Sequence, residues 1–138
     1  MNSTYYKDKI VVGIIKNKKT GKVLLAKVKK AKLDEFGSIE YVFPGGRVEE
    51  GEFPGDALHR EILDETGYDV DIKGQVSYRV HPVTKKEIYY YSCVCDLNKQ
   101  KTSISDEDIE SLIWVDVKDL DKYLVNLNPD VQKAILHL

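Results

Sequence analysis

Long apolar runs and a large excess of charge of either sign are both missing from this sequence. The net charge is −2 at pH 7, although charged residues make up 32% of the chain. This balance gives no reason to expect a nucleic-acid polymer or an anionic membrane as a partner. No apolar stretch is long enough to cross a membrane, and the first residues, MNSTYYKDK, lack the apolar core of a secretion signal. We therefore expect a cytoplasmic protein.

Cysteine is scarce as well. The chain has only Cys93 and Cys95, which lie too close together on one strand to bridge each other. A metal role for them would require further ligands at suitable spacing, and the sequence offers none. Two such thiols are typical of buried residues in a reducing cytosol. The 138 residues are enough for one domain with a substantial core, so we expect a single domain over residues 1–138.

The apolar patterns predict an α/β (α+β) fold, an α/β/α sandwich built on a mixed β-sheet. Asp116 is expected to cap a short helix that ends near Tyr123, and Asn128 with Pro129 to begin a final helix. The polar segment 29–40 is expected to form a loop that overhangs the functional site. Strands are predicted over residues 10–15, 22–28, 41–43, 70–72, 75–81, 87–97 and 112–115.

The most informative stretch covers residues 46–68, GRVEEGEFPGDALHREILDETGY. Pro54 suits the first turn of a helix and Gly67 suits its end, so the stretch predicts a helix of about three turns. This helix follows a glycine-rich loop, which in turn follows an apolar strand.

Three acidic residues of this predicted helix share one face. Glu61, Asp64 and Glu65 are spaced i, i+3 and i+4. Carboxylates held so close repel one another, and divalent cations bound by carboxylate and carbonyl oxygens remove the repulsion. A solvated acidic face is the alternative interpretation of such a cluster. The tight loop before the helix favours the metal site.

The same stretch resembles the Nudix box. That pattern is a Gly, five residues, a Glu, seven residues, and then Arg-Glu-aliphatic-x-Glu-Glu-x-Gly-aliphatic. Two positions depart from it, because Asp64 stands in place of a Glu and Tyr68 in place of an aliphatic residue. The predicted order of elements also resembles the Nudix fold over nearly the whole chain. The residues that match the pattern are Gly46, Glu52, Arg60, Glu61, Ile62, Glu65 and Gly67.

The resemblance implies a MutT-type Nudix hydrolase, a metal-dependent enzyme that cleaves a pyrophosphate bond in a nucleoside diphosphate linked to another group. It implies Mg²⁺ or Mn²⁺, with more than one ion when substrate is bound. The metal ligands that it implies are the carbonyl of Gly45 and the side chains of Glu61, Asp64 and Glu65.

The general base is left open by the resemblance. It is one of the box carboxylates, or Glu107 or Glu110 in the loop before Trp114. A solvated loop charge is an equal alternative for Glu107 and Glu110. Arg60 is expected to orient a carboxylate, with Glu52 as the candidate.

A small nucleotide is the implied substrate, and the enzyme is expected to be a monomer or homodimer. The first candidate substrate is a nucleoside triphosphate, whether oxidised or not, which would give a nucleoside monophosphate and pyrophosphate. ADP-ribose or a dinucleoside polyphosphate follows. Pro82 lies 15 residues after Gly67, a spacing that goes with ADP-ribose in some family members. A hairpin turn explains that proline equally well. The resemblance also leaves room for a loosely specific phosphohydrolase and for a nucleotide sensor without activity.

Substrate-binding candidates lie outside the helix. A core, turn or sheet-edge role is the alternative interpretation for the aromatic residues and for His81, and alternation along a strand prevents three consecutive tyrosines from facing one pocket. The candidates for polar contacts are Arg47, Tyr78, Arg79 and His81, and the aromatic candidates for stacking on a base are Tyr5, Tyr6, Phe36, Tyr78, Tyr89, Tyr90 and Tyr91.

Overall fold

The computed structural model describes residues 9–34, 38–96, 100, 103–125 and 127–138. Within these ranges the helices are α1 (Pro54–Thr66), α2 (Leu120–Tyr123) and α3 (Pro129–Leu136), with single 3-10 turns at Lys30–Lys32 and Val117–Asp119. A seven-stranded sheet is formed by β1 (Lys9–Asn17), β2 (Val23–Val28), β3 (Tyr41–Val42), β4 (Gly45–Arg47), β5 (Asp71–Val80), β6 (Glu87–Cys95) and β7 (Ile109–Val115).

The sheet is mixed because β1 runs parallel to β6, whereas the other described pairings are antiparallel. β1 and β2 pair at Lys16 and Val23 and then separate. β3 pairs with β2, and β4 pairs with β1. Residues 41–47 therefore lie between the two strands of an opened hairpin. β5 lies at one outer edge, paired with β6, and β7 at the other, paired with β2.

Helix α1 has the bounds that its terminal residues predict. Pro54 lies at its first turn, where the missing amide costs no hydrogen bond. Gly67 ends the helix with φ 77°, and its amide donates to the carbonyl of Leu63 at 2.8 Å. The helix packs across β1 at Gly13, where a Cβ would lie 2.9 Å from Cδ1 of Ile62. A larger residue at this position would require the Ile62 side chain to shift.

The sheet has a buried core on each face, which confirms the predicted α/β/α arrangement. Tyr89 and Tyr91 pack against the first core and Tyr90 against the second, as strand alternation predicts. The first core, under α1, includes Val11, Ile15, Leu24, Val48, Ala57, Leu58, Ile62, Cys93 and Cys95. The second, under α2 and α3, includes Ile14, Val23, Leu25, Tyr90, Val115, Leu120, Leu124, Val131 and Ile135.

Two sequence predictions about β-structure are corrected. The separate strands expected at 70–72 and 75–81 are the single strand β5, because Gly74 and its neighbours produce irregularities in the pairing with β6 and do not end the strand. Strand β7 begins at Ile109, earlier than the expected residue 112.

The two predicted helix caps have different outcomes. Asn128 caps α3 as expected, since its side-chain oxygen accepts from the amides of Asp130 at 3.0 Å and Val131 at 3.2 Å. Asp116 makes no side-chain capping hydrogen bond. The chain after it begins with a 3-10 turn and only then forms the short helix α2.

Cys93 and Cys95 are both buried and form no disulfide, as expected. Burial raises the pKa of Cys93 to about 12 and that of Cys95 to about 11, so both thiols are protonated at neutral pH. Among the described residues, no helix combines the length and apolar character that a membrane crossing needs.

Ile135 and Leu136 are neighbours on α3 that provide a test of the second core. Ile135 is 2% exposed and Leu136 is 62% exposed. We expect Ile135→Ala to lower the free energy of unfolding by about 2–5 kcal/mol, because it leaves a cavity. Leu136→Ala should change it by less than about 0.5 kcal/mol. Urea denaturation of both variants measures the difference, and equal losses would contradict the packing of α3 on the sheet.

Candidate active site

Arg60 connects α1 to the loop before it. Its Nε and Nη2 donate to the two carboxylate oxygens of Glu52, each at 2.9 Å. Its Nη1 donates to Oε1 of Glu61 at 2.6 Å, and Nη2 also donates to the carbonyl of Arg47 at 3.1 Å. The contact between Arg60 and Glu52 is the one that the sequence suggested. Hydrogen bonding to Arg60 lowers the pKa of Glu52, and the same bond raises the pKa of Arg60.

Two glycines allow the backbone to touch these carboxylates. The amide of Gly45 donates to Oε2 of Glu65 at 2.9 Å. A Cβ at Gly45 would overlap the carbonyl oxygen of Val11, and one at Gly46 would lie 2.5 Å from the carboxylate carbon of Glu61. Gly45 therefore requires glycine for this close approach, and a side chain at Gly46 would displace the Glu61 carboxylate.

Glu65 is the most deeply buried carboxyl group of the site, with 6% of its surface exposed. Burial raises its pKa to about 9, and repulsion by Glu61, Asp106 and Asp64 adds to the increase. The amide of Gly45 acts in the opposite direction. The pKa of Glu61 is also raised, first by burial and then by Asp64 and Asp106, while Arg60 opposes the change. These carboxyl groups lack enough positive charge around them.

Asp106 belongs to this group, and sequence reasoning did not select it. The amides of Ser105 and Asp106 donate to the carbonyl of Asp64 at 2.9 and 3.0 Å. This attachment brings the Asp106 side chain close enough to raise the pKa of both Glu61 and Glu65. The loop sequence SDEDIE contains four acidic residues, and no local signal distinguishes Asp106 from the others.

The two loop residues that the sequence selected lie elsewhere. Glu107 is exposed in a turn. Glu110 lies on β7 with its Oε2 at 3.9 Å from Nζ of Lys27. The structure thus brings together Glu61, Asp64, Glu65 and Asp106.

Arg47 and Arg79 occupy one row across the sheet. Arg79 pairs with Ile88, Ile88 with Ile10, and Ile10 with Arg47. Paired residues project to the same face, and Ile88 packs in the second core, so this row lies on the face opposite α1. Nε of Arg79 is buried and has no hydrogen-bond partner among the described residues.

Tyr78 and His81 make contacts within the hairpin of β5 and β6. The rings of Tyr78 and Tyr89 lie 5.1 Å apart, and both hydroxyls donate to Glu87. Nδ1 of His81 accepts from the amides of residues 83 and 84, each at 3.2 Å, which is the turn role left open by the sequence. Three other candidates, Tyr5, Tyr6 and Phe36, lie outside the described residues.

The chemistry of the donors suits a hard divalent cation. The carboxylate oxygens gathered here are ligands that Mg²⁺ and Mn²⁺ prefer. In the described part of the chain, no three His, Cys, Asp or Glu side chains are close enough together to hold an ion. Two effects oppose a closer approach of the carboxylates to one another. One is their mutual repulsion, and the other is the hydrogen bond that Arg60 donates to Glu61. A bound cation would offset the negative charge that raises the pKa of Glu61 and Glu65, so these residues fit a cation site.

Comparison with known proteins places this geometry in a family. A family model described as the NUDIX domain matches residues 7–137. The chain belongs to the Nudix hydrolase family. A curated relative, putative nudix hydrolase 1 of Caenorhabditis elegans, is 33% identical over 90 residues, which are 64% of this chain and 24% of that protein. This Nudix chain thus matches only part of that relative's length.

Solved structures confirm the Nudix fold. A MutT structure from work on Aliivibrio salmonicida and Vibrio cholerae has a TM-score of 0.69 at 23% identity, covering 94% of this chain and 96% of that one. An Ap4A hydrolase of C. elegans has a TM-score of 0.70 at 15% identity, covering 93% of each chain. An ADP-ribose pyrophosphatase of Streptococcus suis has a TM-score of 0.66 at 17% identity, covering 92% of this chain and 87% of that one.

The buried Glu65 predicts a pH-dependent stability in the presence of a chelator. Because its folded pKa is raised to about 9, the folded state holds this proton more tightly than the unfolded state. Stability from this group is complete below the unfolded pKa and is lost as pH rises towards 9. Glu65→Gln removes the titration, so it should raise the melting temperature at pH 8 by more than at pH 5. An equal change at both pH values, measured by thermal denaturation in EDTA, would contradict the raised pKa.

Proposed function

We propose that this Nudix protein is a divalent-cation-dependent hydrolase that cleaves a pyrophosphate bond of a small nucleotide. The observation that carries the proposal is the convergence of Glu61, Asp64, Glu65 and Asp106 beside a glycine backbone and the guanidinium of Arg60. Such an arrangement would be suited to holding divalent cations, which would supply positive charge for the phosphates of a substrate.

Each residue has a defined part in the proposed reaction. Glu61, Asp64 and Glu65, with the carbonyl of Gly45, would hold Mg²⁺ or Mn²⁺, and more than one ion when substrate is bound. When bound, the cations neutralise the phosphate charge and make water more acidic. Arg60 keeps the Glu61 carboxylate in place through its 2.6 Å hydrogen bond.

The general base is a carboxylate of the cluster, and we assign it to Asp106. Asp106 acts electrostatically on Glu61 and Glu65, whereas Glu107 is exposed and Glu110 lies beside Lys27. Asp106 would take a proton from water as the water oxygen bonds to one phosphorus. The bond from that phosphorus to the bridging oxygen breaks, and the bridging oxygen leaves with the other phosphoryl group.

A nucleoside triphosphate, whether oxidised or not, is the proposed substrate, and a nucleoside monophosphate and pyrophosphate are the products. This choice follows the resemblance to MutT-type enzymes, and a MutT structure shares the fold over 94% of this chain. ADP-ribose and dinucleoside polyphosphates are the alternatives, since an ADP-ribose pyrophosphatase and an Ap4A hydrolase share the fold at similar TM-scores.

Arg79 is the proposed contact for an anionic part of the nucleotide. Arg79 is half-buried, and its Nε is buried without a hydrogen-bond partner among the described residues. Leaving a buried donor unpaired costs stability, and a phosphate oxygen would satisfy it. We also propose a cytoplasmic location, supported by the two buried thiols without a disulfide.

A nucleotide panel tests the proposed activity. We expect cleavage of one class among nucleoside triphosphates, an oxidised triphosphate, ADP-ribose and a dinucleoside polyphosphate, with Mg²⁺ or Mn²⁺ and not with EDTA. Chromatography identifies the bond that breaks. Glu65→Gln should lower kcat by more than about 100-fold, because it removes a charge from the proposed cation site. Tight nucleotide binding without cleavage would instead indicate a sensor, and Asp64→Glu would then test whether the shorter side chain is responsible.

The loop carboxylates provide a second test. Asp106→Asn should lower kcat by about 100-fold or more, because it removes the proposed base. Asp121→Asn, an exposed position on α2, is the matched control and should leave kcat unchanged. Steady-state kinetics of Glu107→Gln and Glu110→Gln complete the set. If kcat fell in Glu107→Gln or Glu110→Gln while Asp106→Asn kept full activity, the assignment of Asp106 would be wrong.

A further inference from the structure

The C-terminal end of α1 is the attachment point for the loop that carries Asp106. The carbonyl of Asp64 accepts from the amides of Ser105 and Asp106, and from Oγ of Ser105 at 3.3 Å. Carbonyls in the last turn of a helix lack partners within the helix and carry partial negative charge. Asp64 therefore has two functions, since its side chain faces the acidic cluster while its carbonyl holds the loop.

Gln100 makes a second attachment at the same helix end. Its Nε2 donates to the carbonyl of Thr66 at 3.0 Å, and its backbone forms an antiparallel bridge with Tyr68. Thr66 is fully buried. The Thr66 hydroxyl donates to the carbonyl of Ile62 at 2.7 Å and accepts from the amide of Tyr68 at 3.0 Å. Gln100 thus bonds to a helix end that is itself internally fixed.

This attachment opposes an electrostatic force. Asp106 repels the Glu61 carboxylate, so without a cation the loop that carries it is pushed away from the cluster. Hydrogen bonds from the loop to the helix carbonyls resist that push, and the side chain of Gln100 supplies one of them.

We propose that Gln100 is a positioning residue that holds Asp106 beside the box carboxylates before a cation binds, by donating its side-chain amide to the end of α1. This inference rests on the proposed function, because it assumes that the carboxylates bind a divalent cation. The cation would then find a site that is already assembled, and binding would cost less ordering of the loop.

Mn²⁺ binding to the metal-free protein tests this role without any substrate. Gln100→Met keeps the length of the side chain and removes its donor. Losing one hydrogen bond that orders the site should raise the Kd for Mn²⁺ by about 3- to 10-fold, measured by electron paramagnetic resonance of free Mn²⁺. Gln75→Met makes the same change at an exposed position of β5 and should leave the Kd unchanged. Thermal denaturation of each variant establishes that it is folded.

A double-mutant cycle with Asp106→Asn decides whether Gln100 acts through Asp106. In the Asp106→Asn background the repulsive charge is gone, so Gln100→Met should have no further effect on the Kd. The same fold-change in both backgrounds would show that Gln100 only stabilises the helix end, and no change in either would equally overturn the inference. If the wild-type protein bound no Mn²⁺, the proposed function itself would be wrong, which is a different result from binding that Gln100→Met leaves unaltered.

Discussion

Mutual repulsion between carboxylates is the constraint on which this site depends. One helix face and one loop hold Glu61, Asp64, Glu65 and Asp106 near one another, and Glu65 is almost entirely buried. Like charges repel more strongly where water is excluded. Three features each oppose part of this repulsion: the guanidinium of Arg60, the amide of Gly45, and the loop amides bound to the end of α1. The repulsion that remains favours the binding of a cation.

The part of the site that the sequence predicts is the part built from neighbouring residues. Pro54 and Gly67 set the ends of α1 by local backbone preferences, and helical periodicity alone puts Glu61, Asp64 and Glu65 on one face. The contact between Arg60 and Glu52 follows from the same short segment. Asp106 could not be identified in this way. Its position depends on a loop that closes onto the carbonyl of Asp64, and several acidic neighbours in the sequence look equivalent to it.

In the fold as well, features set by neighbouring residues were predicted correctly, and a feature set by tertiary pairing was not. Strand alternation correctly separates Tyr90 from Tyr89 and Tyr91, and Asn128 caps α3 as expected. The sequence predicted two strands, at 70–72 and 75–81, but pairing with β6 carries β5 through Gly74 with a local irregularity. Propensity is local, whereas the continuity of a strand is decided by its partner, so tertiary pairing overrides the sequence signal there.

The insertion of residues 41–47 between β1 and β2 has a consequence for how the chain folds. A hairpin is the fastest structure for these two strands to form, because its ends are close in sequence. A hairpin that closed along its full length would occupy the edges that β3 and β4 need. A hairpin closed along its full length is therefore incompatible with the native sheet, in which β1 and β2 pair only at Lys16 and Val23. The segment that lines the candidate site is thus also the one that must lie between β1 and β2 for the native sheet to be complete.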